Sequence, residues 1–335
     1  MIRKFFTYIS LFLASVMMLA CSPIDDGTNG NNGNNNEDPE MPAEERNLYA
    51  YLCQIAEDNR EARTNGDEIK RVYIVAHRGN TKAGKIAGAP DNSIPAIEYA
   101  IKYGADMVEL DVRTTSDGHF VAVHDATIQA TTGKNLEVSN ITLAELKTYP
   151  MITGNGKKFK AANGNYVYTP TLQEALAACK GKIFVNLDLK QENPAINERK
   201  LVNAILEVEM GNEVMIYTSG YSTARKYIET AMAEGVNNLC IHPHIGQSNA
   251  VKQYESLPSV KLFQYSYGLW VSGTNIPRDL HKDDLLTYSN ILTYDQELLQ
   301  GNYSKLDIFL SSDTDFIQTD YCEVVHEYLK SKGLR

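Results

Sequence analysis

From Arg71 onward the chain repeats one pattern, a short apolar run followed by a longer stretch with helical spacing. Parallel strands need a crossover long enough to hold a helix, so this alternation argues a parallel sheet built from βα units. The strands expected are 72–76, 107–112, 120–124, 183–189, 214–218, 239–242, 291–294 and 316–319. Helices are expected at 93–103, 171–179, 198–208, 222–233, 283–289, 306–310 and 321–330. Eight such units over about 260 residues match a TIM (β/α)8 barrel, which typically takes ~250. A doubly wound sheet would need a glycine-rich phosphate loop after the first strand, and none follows Ala76. Residues 261–267 could be an extra strand or the true seventh.

Ahead of the barrel, residues 42–66 carry Leu48, Tyr51, Leu52, Ile55 and Ala56 at the spacing of one helical face. The barrel domain is then 67–335. Composition supports a packed core: 43% of residues are hydrophobic and 22% charged, which excludes a disordered chain. A net charge of −10 disfavours binding to a nucleic-acid backbone, since that requires cations to displace counterions.

The first residues read as an address. Arg3 and Lys4 precede an almost wholly apolar run, 5–20, too short for the roughly 20 residues of a spanning helix. Residues 1–20 are therefore expected to be a signal peptide. Met18-Leu19-Ala20-Cys21 resembles a bacterial lipobox, which implies lipidation of Cys21, export and anchoring to an envelope membrane. Residues 21–41, rich in Asn, Gly, Asp and Pro, are expected to be a solvated tether. Loss of Arg3 and Lys4 makes the mature chain more acidic still, so attraction to anionic lipid is not expected and the acyl chains must anchor it. Cys53, Cys179, Cys240 and Cys322 lack zinc or redox spacing and read as buried free thiols.

Chemistry concentrates at strand ends. His77, Asp111, His124 and Lys190 each stand at or just past the C-terminal end of a different expected strand, the face where barrels of this kind place their active sites. Glu109 and Asp111 alternate with Leu110, so both carboxylates point the same way. Two carboxylates sharing a site repel unless a hard divalent cation joins them, and Asp188 could supply a third oxygen. His77 and His124 suit proton transfer, one as base and one as acid. Arg78 and Lys190 add cations for an anionic substrate. His119, His242, His244, His281 and His326 read as structural, although His242 is also at a strand end. Cation, imidazoles and arginine together describe phosphoester chemistry.

His77-Arg78-Gly79, Pro90-Asp91-Asn92-Ser93, the run Gly104 to Val112, Ser116-Asp117-Gly118 and His124-Asp125 resemble, in order and spacing, the glycerophosphodiester phosphodiesterase family. Thr131-Thr132-Gly133, Thr169-Pro170-Thr171-Leu172, Asn186-Leu187-Asp188-Leu189-Lys190 and Gln318-Thr319-Asp320 extend the likeness over roughly 71–325. The resemblance implies a TIM barrel of the phospholipase C-like type. It implies hydrolysis of small glycerophosphodiesters to sn-glycerol 3-phosphate and an alcohol, with one Ca2+ or Mg2+ at the site.

Carried onto this chain, Glu109, Asp111 and Asp188 become metal ligands, His77 and His124 the acid/base pair, Arg78 and Lys190 phosphate or supporting contacts, and Asp91 and Asn92 supporting residues. In the mechanism usually drawn for the family a glycerol hydroxyl attacks phosphorus and a cyclic phosphate is then hydrolysed; direct attack by water would use the same residues. Asp91 and Asp188 stand where the family usually has Glu, Ala130 where it has Arg, and Leu292-Thr293-Tyr294-Asp295 where it tends to have Trp-Thr-Val-Asn. These departures lead to an expected difference in head-group preference. A phospholipase D-like enzyme related to sphingomyelinase D toxins and a catalytically idle binder of glycerophosphodiesters are the alternatives.

Overall fold

The computed structural model describes residues 46–66, 71–190, 196–246, 248–265 and 276–335. The expected signal peptide, Cys21 and the tether lie outside the described residues, and no described helix is long and apolar enough to cross a membrane.

Nine strands form: β1 Tyr73–Ala76, β2 Met107–Thr114, β3 Phe120–Ala122, β4 Phe184–Leu189, β5 Val214–Thr218, β6 Cys240–Ile245, β7 Leu262–Tyr265, β8 Leu286–Asn290 and β9 Phe316–Thr319. Eight of them pair in parallel around a ring that closes through β1 on β2 and β1 on β9. The fold is therefore the (β/α)8 barrel the pattern implied. β3 is not a barrel strand; it folds back antiparallel on the overlong end of β2, pairing Val112 with Ala122 and Thr114 with Phe120.

The late part of the chain also departs from expectation. Residues 291–294 are no strand, because Leu292–Tyr294 form a 3-10 turn, and Leu286–Asn290 are a strand where a helix over 283–289 was expected. Leu262–Tyr265 supplies the remaining stave. Two expected staves are lost and two gained, so the count of eight survives. Leu-Thr-Tyr-Ser-Asn has the same short apolar signature as a helix turn, and pairing to β7 and β9 decides the matter.

Strand alternation sorts the barrel into two cores. Outward side chains such as Ile74, Val108, Leu110, Val185, Leu187, Ile216, Ile241 and Ile317 pack under the helices. Inward ones, among them Val75, Met107, Phe184, Met215, Cys240, Leu262, Leu286 and Phe316, fill the lower barrel. Both faces being buried explains why these strands read as continuous apolar runs.

Helix α1, Leu48–Asn65, closes the floor. Asn47 caps its start by accepting from the Ala50 N–H at 3.0 Å, and Gly66 ends it in the left-handed conformation at φ 76°. Its buried residues Leu48, Leu52, Ile55 and Ala56 belong to the lower barrel core. Asn59 reaches Asp315 at 2.7 Å, and Asp315 in turn holds His281 at 2.8 Å, so His281 is structural as expected. Cys179, Cys240 and Cys322 are buried free thiols; Cys53 is half-buried.

Among the described residues every strand pairing and buried cluster lies within the compact unit Met41–Arg335, so residues 41–335 are expected to fold as a unit with a core of their own. Within it Leu52 is almost fully buried. Leu52→Ala should lower unfolding free energy by about 2–5 kcal/mol, measured by urea denaturation of residues 41–335.

Candidate active site

The upper barrel is polar because each inward apolar position is followed, two residues on, by a polar one: Val75 by His77, Met107 by Glu109 and Asp111, Phe184 by Asn186 and Asp188, Met215 by Tyr217, Cys240 by His242. The β2–β4 register sets Asp111 opposite Asp188 and Glu109 opposite Asn186. Glu109, Asp111 and Asp188 each bring one oxygen within 4.8 Å of the others.

Glu109 and Asp111 are buried, so their charges need compensation. The Arg78 N–H donates to Glu109 Oε2 at 2.8 Å, and Asn92 Nδ2 donates to Asp111 Oδ2 at 2.7 Å while its Oδ1 accepts from the Asp111 N–H at 3.0 Å. Arg78 and Asn92 hold these positions with φ of 53° and 58°. Left-handed backbone at a non-glycine costs on the order of 1–3 kcal/mol and persists only where surroundings over-determine it. Here the Asn92 N–H donates to the Arg78 carbonyl at 2.8 Å and locks the two together.

Lys190 Nζ lies 2.5 Å from Asp188 Oδ2 and 3.2 Å from Asp111 Oδ1. Burial alone would lower its pKa, but Asp111 first and then Asp188 and Glu109 outweigh that and raise it. Compensation of the carboxylates is incomplete. Burial pushes the Glu109 carboxyl well above the ordinary range, and Asp111 and Asp188 push the same way. Asp111 Oδ1 is buried without a hydrogen bond among the described residues. A compact set of hard oxygen donors, with Asp111 Oδ1 engaged only by the Lys190 ammonium at 3.2 Å, fits a divalent cation of the Ca2+ or Mg2+ type.

The two strand-end histidines are each held by a carboxylate. His77 Nδ1 is 2.8 Å from Asp320 Oδ1, and His124 Nδ1 is 2.7 Å from Asp125 Oδ1. A carboxylate on Nδ1 selects the tautomer with its proton there and leaves Nε2 to exchange protons with a substrate. His124 arrives through the β2–β3 hairpin: the Val123 N–H donates to the Asp111 carbonyl at 3.1 Å, and Arg113 Nε donates to the His124 carbonyl at 2.8 Å.

Asp320, just past β9, had no assigned role in the sequence, although the strand-end rule that selected His77 also points to it. Asp295 supports it, accepting from the Asp320 N–H at 2.7 Å and the Thr319 hydroxyl at 2.6 Å. Burial raises the Asp295 carboxyl to about 7 despite those hydrogen bonds. Lys85, which sequence reasoning also passed over, bridges Asp320 at 3.6 Å and Asp91 at 3.3 Å.

Arg78 lies 3.6 Å from Asp111 and 3.7 Å from Asp91. It opens with Lys85, Asp91, His124, Asp125 and Ala130 onto a cavity of about 280 Å3. Of the residues picked from the sequence, this side of the mouth gathers His77, Arg78, Asp91, Asn92, Glu109, Asp111, His124, Asp188 and Lys190.

The next staves, β5 and β6, carry Tyr217 beside Asp188 and then His242 and His244, whose ring centroids lie 5.6 and 6.1 Å from that of Tyr217. Burial, and then Asp188, push the Tyr217 phenol up to about 12. His242 is fully buried, its ring 4.3 Å from that of Tyr288, and neither nitrogen has a hydrogen-bond partner among the described residues. Burial, with His244 adding to it, lowers the His242 pKa to about 3. Below pH ~6.5 the unfolded chain therefore takes up a proton that the folded chain refuses, and stability falls as pH drops toward 3. His242→Phe should lose less melting temperature than wild type between pH 7 and pH 4.5 in thermal melts; an unchanged difference would contradict a neutral His242.

Comparison with known proteins agrees with this geometry. Residues 77–231 match the glycerophosphoryl diester phosphodiesterase family. A glycerophosphodiester phosphodiesterase of Caldanaerobacter subterraneus is 35% identical over 159 residues, 46% of this chain and 61% of that protein. Human glycerophosphodiester phosphodiesterase 1 is 33% identical over 109 residues, 32% of this chain and 30% of that one. The match thus spans less than two thirds of either relative.

Among solved structures, a glycerophosphoryl diester phosphodiesterase from Parabacteroides distasonis superposes with a TM-score of 0.66 at 20% identity, covering 85% of this chain and 92% of its own. An Oleispira antarctica phosphodiesterase in complex with the product sn-glycerol-3-phosphate gives 0.58 at 20% identity, covering 77% and 96%. At these identities the structures establish the shared barrel. With the family match over residues 77–231 and the sequence relatives, they make this chain similar to the glycerophosphoryl diester phosphodiesterase family across the part of the barrel that carries the carboxylates and both histidines.

Proposed function

We propose that the protein hydrolyses small glycerophosphodiesters to sn-glycerol 3-phosphate and an alcohol. The observation that carries this is the meeting of three carboxylate oxygens within 4.8 Å beside Arg78 and Lys190, with a carboxylate-held imidazole at the end of β1 and another at the end of the β2–β3 hairpin. Such a site must neutralise the charge that develops on phosphate oxygens and move two protons.

Glu109, Asp111 and Asp188 would hold one Ca2+ or Mg2+, which when bound supplies positive charge to the phosphate oxygens. Arg78 turns a planar guanidinium toward the cavity and suits a phosphate there. Lys190 stays protonated between Asp111 and Asp188 and fixes both carboxylates. Asp91 and Asn92 hold the first loop in place, Asn92 through Asp111 and Asp91 through Asn80 Nδ2 at 2.8 Å. His77 and His124, through Nε2, take the proton of the attacking hydroxyl and return one to the departing alcohol. Asp320 and Asp125 steady the imidazolium as it forms.

The test is a substrate panel on residues 41–335: glycerophosphocholine, sphingomyelin and lysophosphatidylcholine, each with Ca2+, Mg2+ or chelator. Release of sn-glycerol 3-phosphate from the first alone, lost in chelator, is expected. Turnover of sphingomyelin or lysolipid in its place would establish the phospholipase D-like alternative, and no turnover under any condition would leave a binding protein. His77→Ala and His124→Ala should each lower kcat by about 10²–10⁴-fold with the fold intact by circular dichroism.

We also infer that Cys21 carries the lipid that tethers the enzyme to the cell envelope, on the strength of Met18-Leu19-Ala20-Cys21 behind an apolar leader. Radiolabelled fatty acid should be incorporated into the full chain and absent from Cys21→Ser; labelling that survives the substitution would refute the assignment.

A further inference from the structure

Between the short helix Leu143–Leu146 and the helix Leu172–Cys179, the chain leaves the barrel as a small β arm. Antiparallel bridges join Pro150 to Tyr168, Ile152 to Lys158 and Lys160 to Tyr166. The arm turns tightly at Gly156 and Gly164, both with positive φ. In a chain of net charge −10, residues 150–170 contain no Asp or Glu and carry Lys157, Lys158 and Lys160.

All three lysines are exposed, and none has a carboxylate partner among the described residues. Two of them flank an aromatic ring: Lys158 Nζ is 5.6 Å and Lys160 Nζ 4.9 Å from the centroid of Tyr166. Tyr166 is 44% exposed and Tyr168 36%.

The arm adjoins the mouth. Ile152 and Gly154 line the same cavity as Arg78 and His124. Helix α2, Lys82–Ala87, ends against it, since a Cβ on Gly88 would lie 2.9 Å from Thr153 Cγ2. That helix end carries Ile86, 78% exposed and the most exposed of the large hydrophobic residues described.

We propose that this arm is a membrane-contact surface, on which Lys157, Lys158 and Lys160 take anionic phospholipid headgroups while Tyr166, Tyr168 and Ile86 enter the interfacial layer. Tyrosine is favoured at that depth because its ring is apolar and its hydroxyl polar, and lysine lays its stem along apolar surface while its ammonium reaches phosphate. A soluble polyanion would satisfy the lysines but leave no place for Ile86 and the two tyrosines, which is why a bilayer is the occupant assigned. Average charge concealed this surface, because screening confines attraction to within about 10 Å and only the local cluster counts. Contact here holds the mouth of the barrel at the level of the headgroups. The inference stands apart from the hydrolase reading, and its test needs no turnover.

Residues 41–335, which lack Cys21, should sediment with vesicles of equimolar phosphatidylcholine and phosphatidylglycerol and not with phosphatidylcholine alone, and added salt should release them. The triple variant Lys157→Gln, Lys158→Gln, Lys160→Gln should lower the partition coefficient by about tenfold or more. Tyr166→Ser should weaken it in a manner that salt does not abolish. Unchanged melting temperatures would show the variants folded. No partition onto the mixed vesicles, partition unaffected by the triple substitution, or equally tight binding to dextran sulfate that ignores Tyr166→Ser would each overturn the proposal.

Discussion

Two carboxylates buried in the throat of a barrel, with a third at its rim, are the constraint on which the rest of the site depends. Glu109 and Asp111 sit among residues that exclude water, where like charges repel with little screening. The protein answers with fixed dipoles and cations: the Arg78 amide on Glu109, the Asn92 side chain on Asp111, and Lys190 between Asp111 and Asp188. The two left-handed residues of the first loop exist to aim those groups. Burial, with Asp111 and Asp188 beside it, still pushes the Glu109 carboxyl above the ordinary range, so the compensation is partial, and the three carboxylates are spaced so that they could hold an ion.

The remainder of the barrel makes this concentration of charge tolerable. Below the carboxylates the inward layer is apolar and closed by α1, so the burial that costs at the top is offset by packing at the floor. Around the barrel beside the carboxylates, Tyr217, His242 and Tyr288 remain neutral, their phenols raised and the imidazole lowered by burial. Beside this acidic cluster, His77, His124, Arg78 and Lys190 supply the groups that could receive an anion. The cavity beside it is lined by Arg78, Lys85, Asp91, His124 and Ala130.

Charge works at two scales in this molecule. The whole chain is acidic, yet a cluster of three exposed lysines is set on an arm at the mouth, next to exposed tyrosines. Net charge governs solubility and long-range encounter, whereas a surface contact answers to the few groups within a screening length. The contrast is visible only once the arm is folded out beside α2.

The sequence by itself determined the barrel and most of its chemistry. Staves buried on both faces leave apolar runs that survive in any reading, and period two along β2 forces Glu109 and Asp111 to one side. It failed where a local pattern has two solutions: Leu286–Asn290 became a strand because β7 and β9 offered hydrogen bonds, and residues 120–124 became a hairpin because β2 runs on past the ring. The partners of the imidazoles depended on closure, since Asp320 is 243 residues from His77 and meets it only because β1 and β9 are neighbours in the closed ring. Side-chain chemistry is written in the chain; which charge faces which is decided by the tertiary contacts that remove water between them.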